Sequence, residues 1–92
     1  MAWFVYLARC ADDSLYCGIT NDVVARVAAH NAGKGARYTR TRLPIEVLYT
    51  RRCRSKGNAL KLEYRIKQLK RPDKQRIVAE PALLPALLRR RA

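Results

Sequence analysis

Two tyrosines, an arginine, a histidine and a glutamate are spaced along this chain so that a small fold could gather them. Tyr6 and Tyr16 lie ten residues apart, on either side of Ala11-Asp12-Asp13-Ser14, which is turn chemistry, so they sit on the two strands of a hairpin. Side chains alternate along a strand; an odd-length loop puts both rings on one face and an even one separates them. A three-residue loop Ala11-Asp12-Asp13 with Asp13 left-handed makes them diagonal neighbours, a conformation that aspartate tolerates better than most residues. Phenols so placed could direct a water or a proton. Equally, two amphipathic rings suit a core with hydroxyls at its rim. Arg26 and His30 are four residues apart and share a helix face. Arginine can clamp a phosphate with paired hydrogen bonds, and histidine can move a proton near neutral pH; the plain alternative is a solvated polar face. Glu63 is the only acid from Arg51 to Lys70, among Arg51, Arg52, Arg54, Lys56, Lys61, Arg65, Lys67 and Lys70. A lone carboxylate beside Ala59 and Ile66 could serve Mg²⁺, which often takes only one or two protein carboxylates and completes its shell with water and phosphate. The alternative there is an i,i+4 pair with Lys67.

The elements that must position these residues follow from the pattern. Residues 2–10 are an apolar run of strand length, suited to a strand buried on both faces. Leu15–Thr20 is the returning strand. Asn21 or Asp22 can cap a helix over about residues 22–32, with Val23, Val24, Val27 and Ala28 on its apolar side and Gly33 placed to stop it. A basic loop, residues 34–42, leads to a third strand, Ile45–Thr50. Ser55 caps a second helix over about residues 57–70, and Pro72 opens a short third one. The order ββαβαα implies an α+β fold, a small three-stranded, mainly antiparallel sheet flanked by helices. The domain is expected to occupy residues 1–80. The Leu/Pro/Arg tail, residues 81–92, carries two prolines that discourage one continuous helix, and is expected to be flexible or loosely packed.

A chain of 92 residues is one domain, in which folding buries only about 60–65% of the open chain's surface. Hydrophobic residues at 49% and charged residues at 29% suit a folded chain and exclude a disordered one. Twenty Lys and Arg against seven Asp and Glu give a net charge of +13 and a pI near 10.6. That excess points to a polyanion and away from cationic substrates or a carboxylate-rich multi-metal site. No apolar run reaches the roughly 18–20 residues of a membrane span, and Met1-Ala2-Trp3-Phe4 lacks a signal-peptide pattern. Cys10, Cys17 and Cys53 are odd in number and hold no CxxC pair, so buried thiols in a reducing cytoplasm are expected rather than disulfides or zinc. Gly33-Lys34-Gly35 lacks the Walker spacing and a preceding strand.

Taken together these residues resemble the GIY-YIG nuclease superfamily, in particular its small single-domain bacterial branch. Phe4-Val5-Tyr6 matches the first motif and Tyr16-Cys17-Gly18 the second, at the usual separation. The stretch Tyr16-Cys17-Gly18-Ile19-Thr20-Asn21-Asp22 leading to Arg26 and His30-Asn31 is the most specific part; residues 33–40 and Glu63 also fit. Phe4 replaces glycine and Cys17 replaces isoleucine, neither at a position expected to supply a reacting group. The resemblance implies metal-dependent phosphodiester cleavage in DNA, in a repair or recombination setting, with Glu63 holding one Mg²⁺ (or Mn²⁺). It implies Tyr6 activating or orienting the attacking water with help from the metal or His30, Tyr16 positioning water or phosphate, and Arg26 neutralising developing charge. Gly18 lets backbone approach closely. Arg26 and His30 thus join Tyr6, Tyr16 and Glu63 in the expected catalytic set.

The basic excess adds a second expectation. Lys34, Arg37, Tyr38, Arg40 and Arg42, with Arg51, Arg52 and Arg54, would follow a phosphate backbone together with Gly18, giving affinity without sequence information. No base-reading module accompanies them, so binding is expected to follow backbone or DNA structure, or delivery by a targeting protein partner, with no membrane involved. The competing expectation is a DNA- or RNA-binding module that keeps the fold without cleavage.

Overall fold

The computed structural model describes residues 2–89. Its elements are β1 (Trp3–Arg9), β2 (Leu15–Thr20), α1 (Val23–Asn31), α2 (Arg37–Arg40), β3 (Glu46–Cys53), α3 (Lys56–Lys67), α4 (Arg71–Ala79), a 3₁₀ turn (Pro81–Leu83) and α5 (Leu84–Arg89). The sheet order is β2-β1-β3, with both pairings antiparallel. This is the α+β arrangement of a three-stranded sheet flanked by helices that the sequence pattern implies.

β1 is central because Val5-Tyr6-Leu7-Ala8 is apolar on both faces, and all four side chains are buried. Val5 and Leu7 point into a core with Ala59, Ile66, Leu69 and Ile77. Tyr6 and Ala8 point the other way, into a smaller cluster with Cys10 and Ile45, flanked by Val27 of α1. The main core therefore lies on the α3–α5 side of the sheet, and Tyr6 faces α1.

The hairpin joining β1 and β2 has a three-residue turn. Cys10 N donates to Ser14 O at 2.8 Å, Asp13 N donates to Cys10 O at 2.9 Å, and Asp13 is left-handed with φ 68°. The register then sets Ala8 opposite Tyr16 and Tyr6 opposite Gly18, so the two tyrosines are diagonal neighbours on one face. α1 begins where Asp22 Oδ1 accepts from Ala25 N at 3.0 Å. It ends in a Schellman motif: Gly33, at φ 80°, donates to His30 O, and Lys34 N donates to Ala29 O, both at 2.9 Å. Asn31 ties this helix to the start of β3, its amide accepting from Ile45 N at 2.8 Å and donating to Ile45 O at 3.3 Å.

Three segments depart from the sequence expectation. Within the basic loop, residues Arg37–Arg40 form a helical turn, built on Thr39, whose N–H and hydroxyl both donate to Ala36 O. β3 runs on to Cys53, because Arg51, Arg52 and Cys53 continue the pairing with Val5, Phe4 and Trp3. The tail is the third and largest departure. Residues 81–89 are not loose: Leu84, Leu87 and Leu88 are buried in the main core. The prolines do prevent one continuous helix, but they do not loosen the segment, since Pro81 and Pro85 each stand in the first turn of a helical piece, where a missing N–H costs nothing. Leucines at 84, 87 and 88 then form the i, i+3, i+4 stripe of a core-facing helix. The folded unit thus extends past residue 80; residues 90–92 of the tail lie outside the described residues.

Candidate active site

The site is built outward from Tyr6. Opposite it on β2 is Gly18, where an added Cβ would stand 2.6 Å from Tyr6 Oη and 3.0 Å from Tyr16 Cε2. Only glycine leaves room for the Tyr6 phenol to lie across the neighbouring strand. The Tyr6 hydroxyl meets Nε2 of the fully buried His30 at 2.9 Å, and His30 Nδ1 meets Thr39 Oγ1 at 2.8 Å. Thr39 donates its own hydroxyl proton to Ala36 O at 2.9 Å. That last bond assigns the tautomer: Thr39 must accept from His30 Nδ1–H, so Nε2 is bare and accepts from the Tyr6 hydroxyl. The result is an ordered chain, Tyr6 to His30 to Thr39 to Ala36. Gly35 is part of it, because a Cβ there would run into the His30 ring.

Tyr16 stands beside this chain, its ring centroid 6.2 Å from Tyr6 and 5.4 Å from His30. Its outer side is stacked by Tyr38, at 6.0 Å and 21°. Tyr38 in turn lies under Arg42, whose guanidinium carbon is 4.0 Å from the ring centroid. Arg42 is tied to the hairpin turn through Asp12 Oδ2 at 2.9 Å and to Tyr38 O at 2.7 Å. An Asp12–Arg42–Tyr38 buttress therefore holds Tyr16 in place.

Charge is distributed unevenly around these groups. Burial pushes the Tyr6 phenol up to about 12, with Tyr16 adding to the rise and Arg26 opposing it. Burial likewise raises Tyr16, with Lys67 and Arg26 opposing and Glu63 reinforcing. His30 is lowered, first by burial and then by the Arg26 charge. Arg26 thus acts on all three members of the cluster, and Glu63 reaches it from α3 on the far side of β2. Neutral forms of Tyr6 and His30 are favoured at rest.

Glu63 is mostly buried, its side chain 18% exposed, and Lys67 Nζ lies 3.4 Å from Oε2. Among the described residues no group of three or more His, Cys, Asp or Glu could hold a metal. A single carboxylate fits a cation that draws its remaining ligands from water and a substrate phosphate, as Mg²⁺ does. The Lys67 contact is longer than the roughly 2.7–2.9 Å of a direct charge-assisted bond, and its half-exposed chain is free to turn away. The donor set therefore fits Mg²⁺ or Mn²⁺ at Glu63.

The structure gathers Tyr6, Tyr16, Gly18, Arg26, His30 and Glu63 around the β2 edge, but it divides the basic residues. Lys34, Arg37 and Arg40 are exposed on the α1–α2 side. Arg42 is committed to Asp12 and Tyr38. Arg52 pairs with Phe4 and so faces the Tyr6 side, whereas Arg51 pairs with Val5 and faces the opposite side, lining a groove with Leu62, Arg65 and Leu84. Arg54 follows the end of β3 at an exposed position. Thr39 and Gly35 are the site residues that sequence reasoning missed. Two glycines bracketing Lys34 were the available signal, and the structure gives them separate tasks: Gly33 ends α1 and Gly35 makes room for His30.

With fold and site in view, the class is defined by comparison. The family model for the GIY-YIG catalytic domain matches residues 2–76, and the chain belongs to that family. Among its relatives, a UPF0213 protein of Natronomonas pharaonis is 49% identical over 77 residues, covering 84% of this chain and 91% of its own. A UPF0213 protein of Cupriavidus necator is 50% identical over 86 residues, covering 92% and 94%. The solution NMR structure of a UPF0213 protein from Bacillus halodurans is similar with a TM-score of 0.55 and 42% identity, over 86% of this chain and 84% of that one. Among the described residues no helix is long and apolar enough to cross a membrane.

Proposed function

We propose that this chain is a metal-dependent DNA endonuclease that hydrolyses a phosphodiester at the β2 edge and holds DNA through its backbone or structure. The observation that carries this reading is the ordered hydrogen-bond chain from Tyr6 through His30 to Thr39, set beside Arg26 and Glu63. In this arrangement Tyr6 Oη takes a proton from the attacking water while its own proton passes to His30 Nε2. The hydroxide so formed bonds to phosphorus, the opposite P–O bond breaks in line, and the leaving oxygen takes a proton from solvent. Tyr6 never becomes a free phenolate, so the burial that pushes its pKa up to about 12 does not oppose the step. His30 is neutral at rest and so can accept, although burial and the Arg26 charge disfavour its charged form. The imidazolium is therefore transient, keeps its Nδ1–H bond to Thr39, and after cleavage returns its proton through Tyr6 Oη to water. Arg26 supplies positive charge where the phosphorus centre becomes more anionic. Glu63 would hold the divalent cation, which when bound stabilises negative charge on the phosphate and leaving group.

Nicking of supercoiled plasmid, in Mg²⁺ and in EDTA, by wild type and Glu63→Gln tests this reading, with folding and DNA binding of both checked first. The expected result is nicking by wild type in Mg²⁺ alone, lost in Glu63→Gln with binding retained. DNA binding by wild type without nicking, or undiminished nicking by Glu63→Gln, overturns the reading in favour of a binding module.

A further inference from the structure

Beyond the Tyr6 cluster, the outer edge of β2 opens into a cleft of about 330 Å³ lined by Leu15, Tyr16, Cys17, Tyr38, Lys67 and Lys74. Leu15 and Cys17 supply apolar lining and Tyr16 and Tyr38 two phenol rings, and its only charged lining groups are two lysines from successive helices. No carboxylate lines it. Lys74 enters no ion pair among the described residues, and Lys67 has only the 3.4 Å contact with Glu63. The buried Cys17 beneath the cleft feels Glu63 first and then both lysine charges. A concave site lined by two lysines and two tyrosines, with no carboxylate among its lining residues, suits an anion. Glu63 beside Lys67 favours a singly charged anion over a multiply charged one, and Tyr16 is shared between this cleft and the cluster around Tyr6. We infer that the cleft holds the DNA phosphodiester adjacent to the scissile one, gripped by Lys74 and Lys67. This rests on the nuclease reading and adds to it the path of the strand: from Glu63 past Tyr16 and Tyr38 toward Lys74 of α4.

The test uses the full chain in EDTA, so that binding is read without cleavage. Fluorescence anisotropy with a labelled DNA oligonucleotide over a series of salt concentrations gives the slope of log K against log salt. Lys74→Ala is expected to lower that slope by about 0.7–0.9, the value of one lost phosphate contact, and Lys74→Arg to restore it. Lys61→Ala, an equal charge change on an exposed position of α3, is expected to leave the slope at the wild-type value. In a second arm, single methylphosphonates are walked along the strand; one position should weaken wild-type binding, and that penalty should vanish in Lys74→Ala. A wild-type slope in Lys74→Ala, or an unchanged methylphosphonate penalty, overturns the subsite while leaving the nuclease reading in place. Displacement of the oligonucleotide by inorganic phosphate at matched ionic strength, from wild type but not from Lys74→Ala, also overturns it by assigning the cleft to free phosphate. Failure of wild type to bind DNA at all overturns both.

Discussion

Gly18 and His30 show how much of the site is decided by single residues. A Cβ at position 18 would meet both Tyr6 and Tyr16, so Gly18→Ala must move a ring that the core holds tightly. Overpacking of this kind costs about 1–3 kcal/mol. Thermal unfolding should show that loss, and cleavage should fall more than stability does because Tyr6 Oη leaves His30. His30 carries the pH dependence. Its folded pKa lies below the ordinary 6.5, so the unfolded chain binds this proton first as pH falls. The stability contributed by neutral His30 is complete above 6.5 and is lost progressively below it, toward the lower folded value. Melting temperature against pH should therefore decline on the acid side of 6.5 in wild type and decline less in His30→Gln. The five chemistry-bearing residues were legible as a set through the family resemblance: hairpin alternation and helical spacing relate Tyr6 to Tyr16 and Arg26 to His30, but nothing local ties either pair to Glu63. Thr39 and Gly35 were not, since their roles exist only once α2 packs against α1.

At the scale of elements, the C-terminal helix is the clearest departure from what the pattern implied. Pro81 and Pro85 read as helix breakers, yet each falls in a first turn, where proline is at home. What they break is one long helix; what they leave is two short pieces that turn three leucines into the main core. Leu87, 2% exposed, should lose about 2–5 kcal/mol on truncation to alanine, visible as a lowered denaturant midpoint with an unchanged urea dependence. An unchanged midpoint would mean that the helix does not seal the core. The hairpin, α1 and α3 were readable in advance because their caps are local: Asp22, Ser55, Gly33 and the left-handed Asp13 act on neighbours within a few residues. The α2 turn had no such signature, as Ala36 offers no side-chain cap.

For the whole molecule, the net charge of +13 is the dominant fact. Composition alone pointed to a polyanion, but it could not say how the charge is arranged. The fold spreads it over both sheet faces and several helices, and it spends Arg42 on an internal buttress. Binding to DNA should accordingly weaken steeply with salt and depend little on base sequence, since phosphate contacts carry no sequence information. Affinities for unrelated duplexes of equal length, compared across salt, check this; a strong preference for one sequence at all salts would contradict it.

The central claim is that the Tyr6 hydroxyl, through His30, handles the proton of the attacking water. Single-turnover cleavage of a labelled DNA substrate by Tyr6→Phe, with Mg²⁺ saturating and binding measured separately, removes one oxygen and nothing else. The account predicts unchanged fold and near-unchanged affinity, with cleavage reduced about 10²–10⁴-fold, the usual contribution of a positioned acid–base group. Cleavage by Tyr6→Phe at the wild-type rate would contradict it.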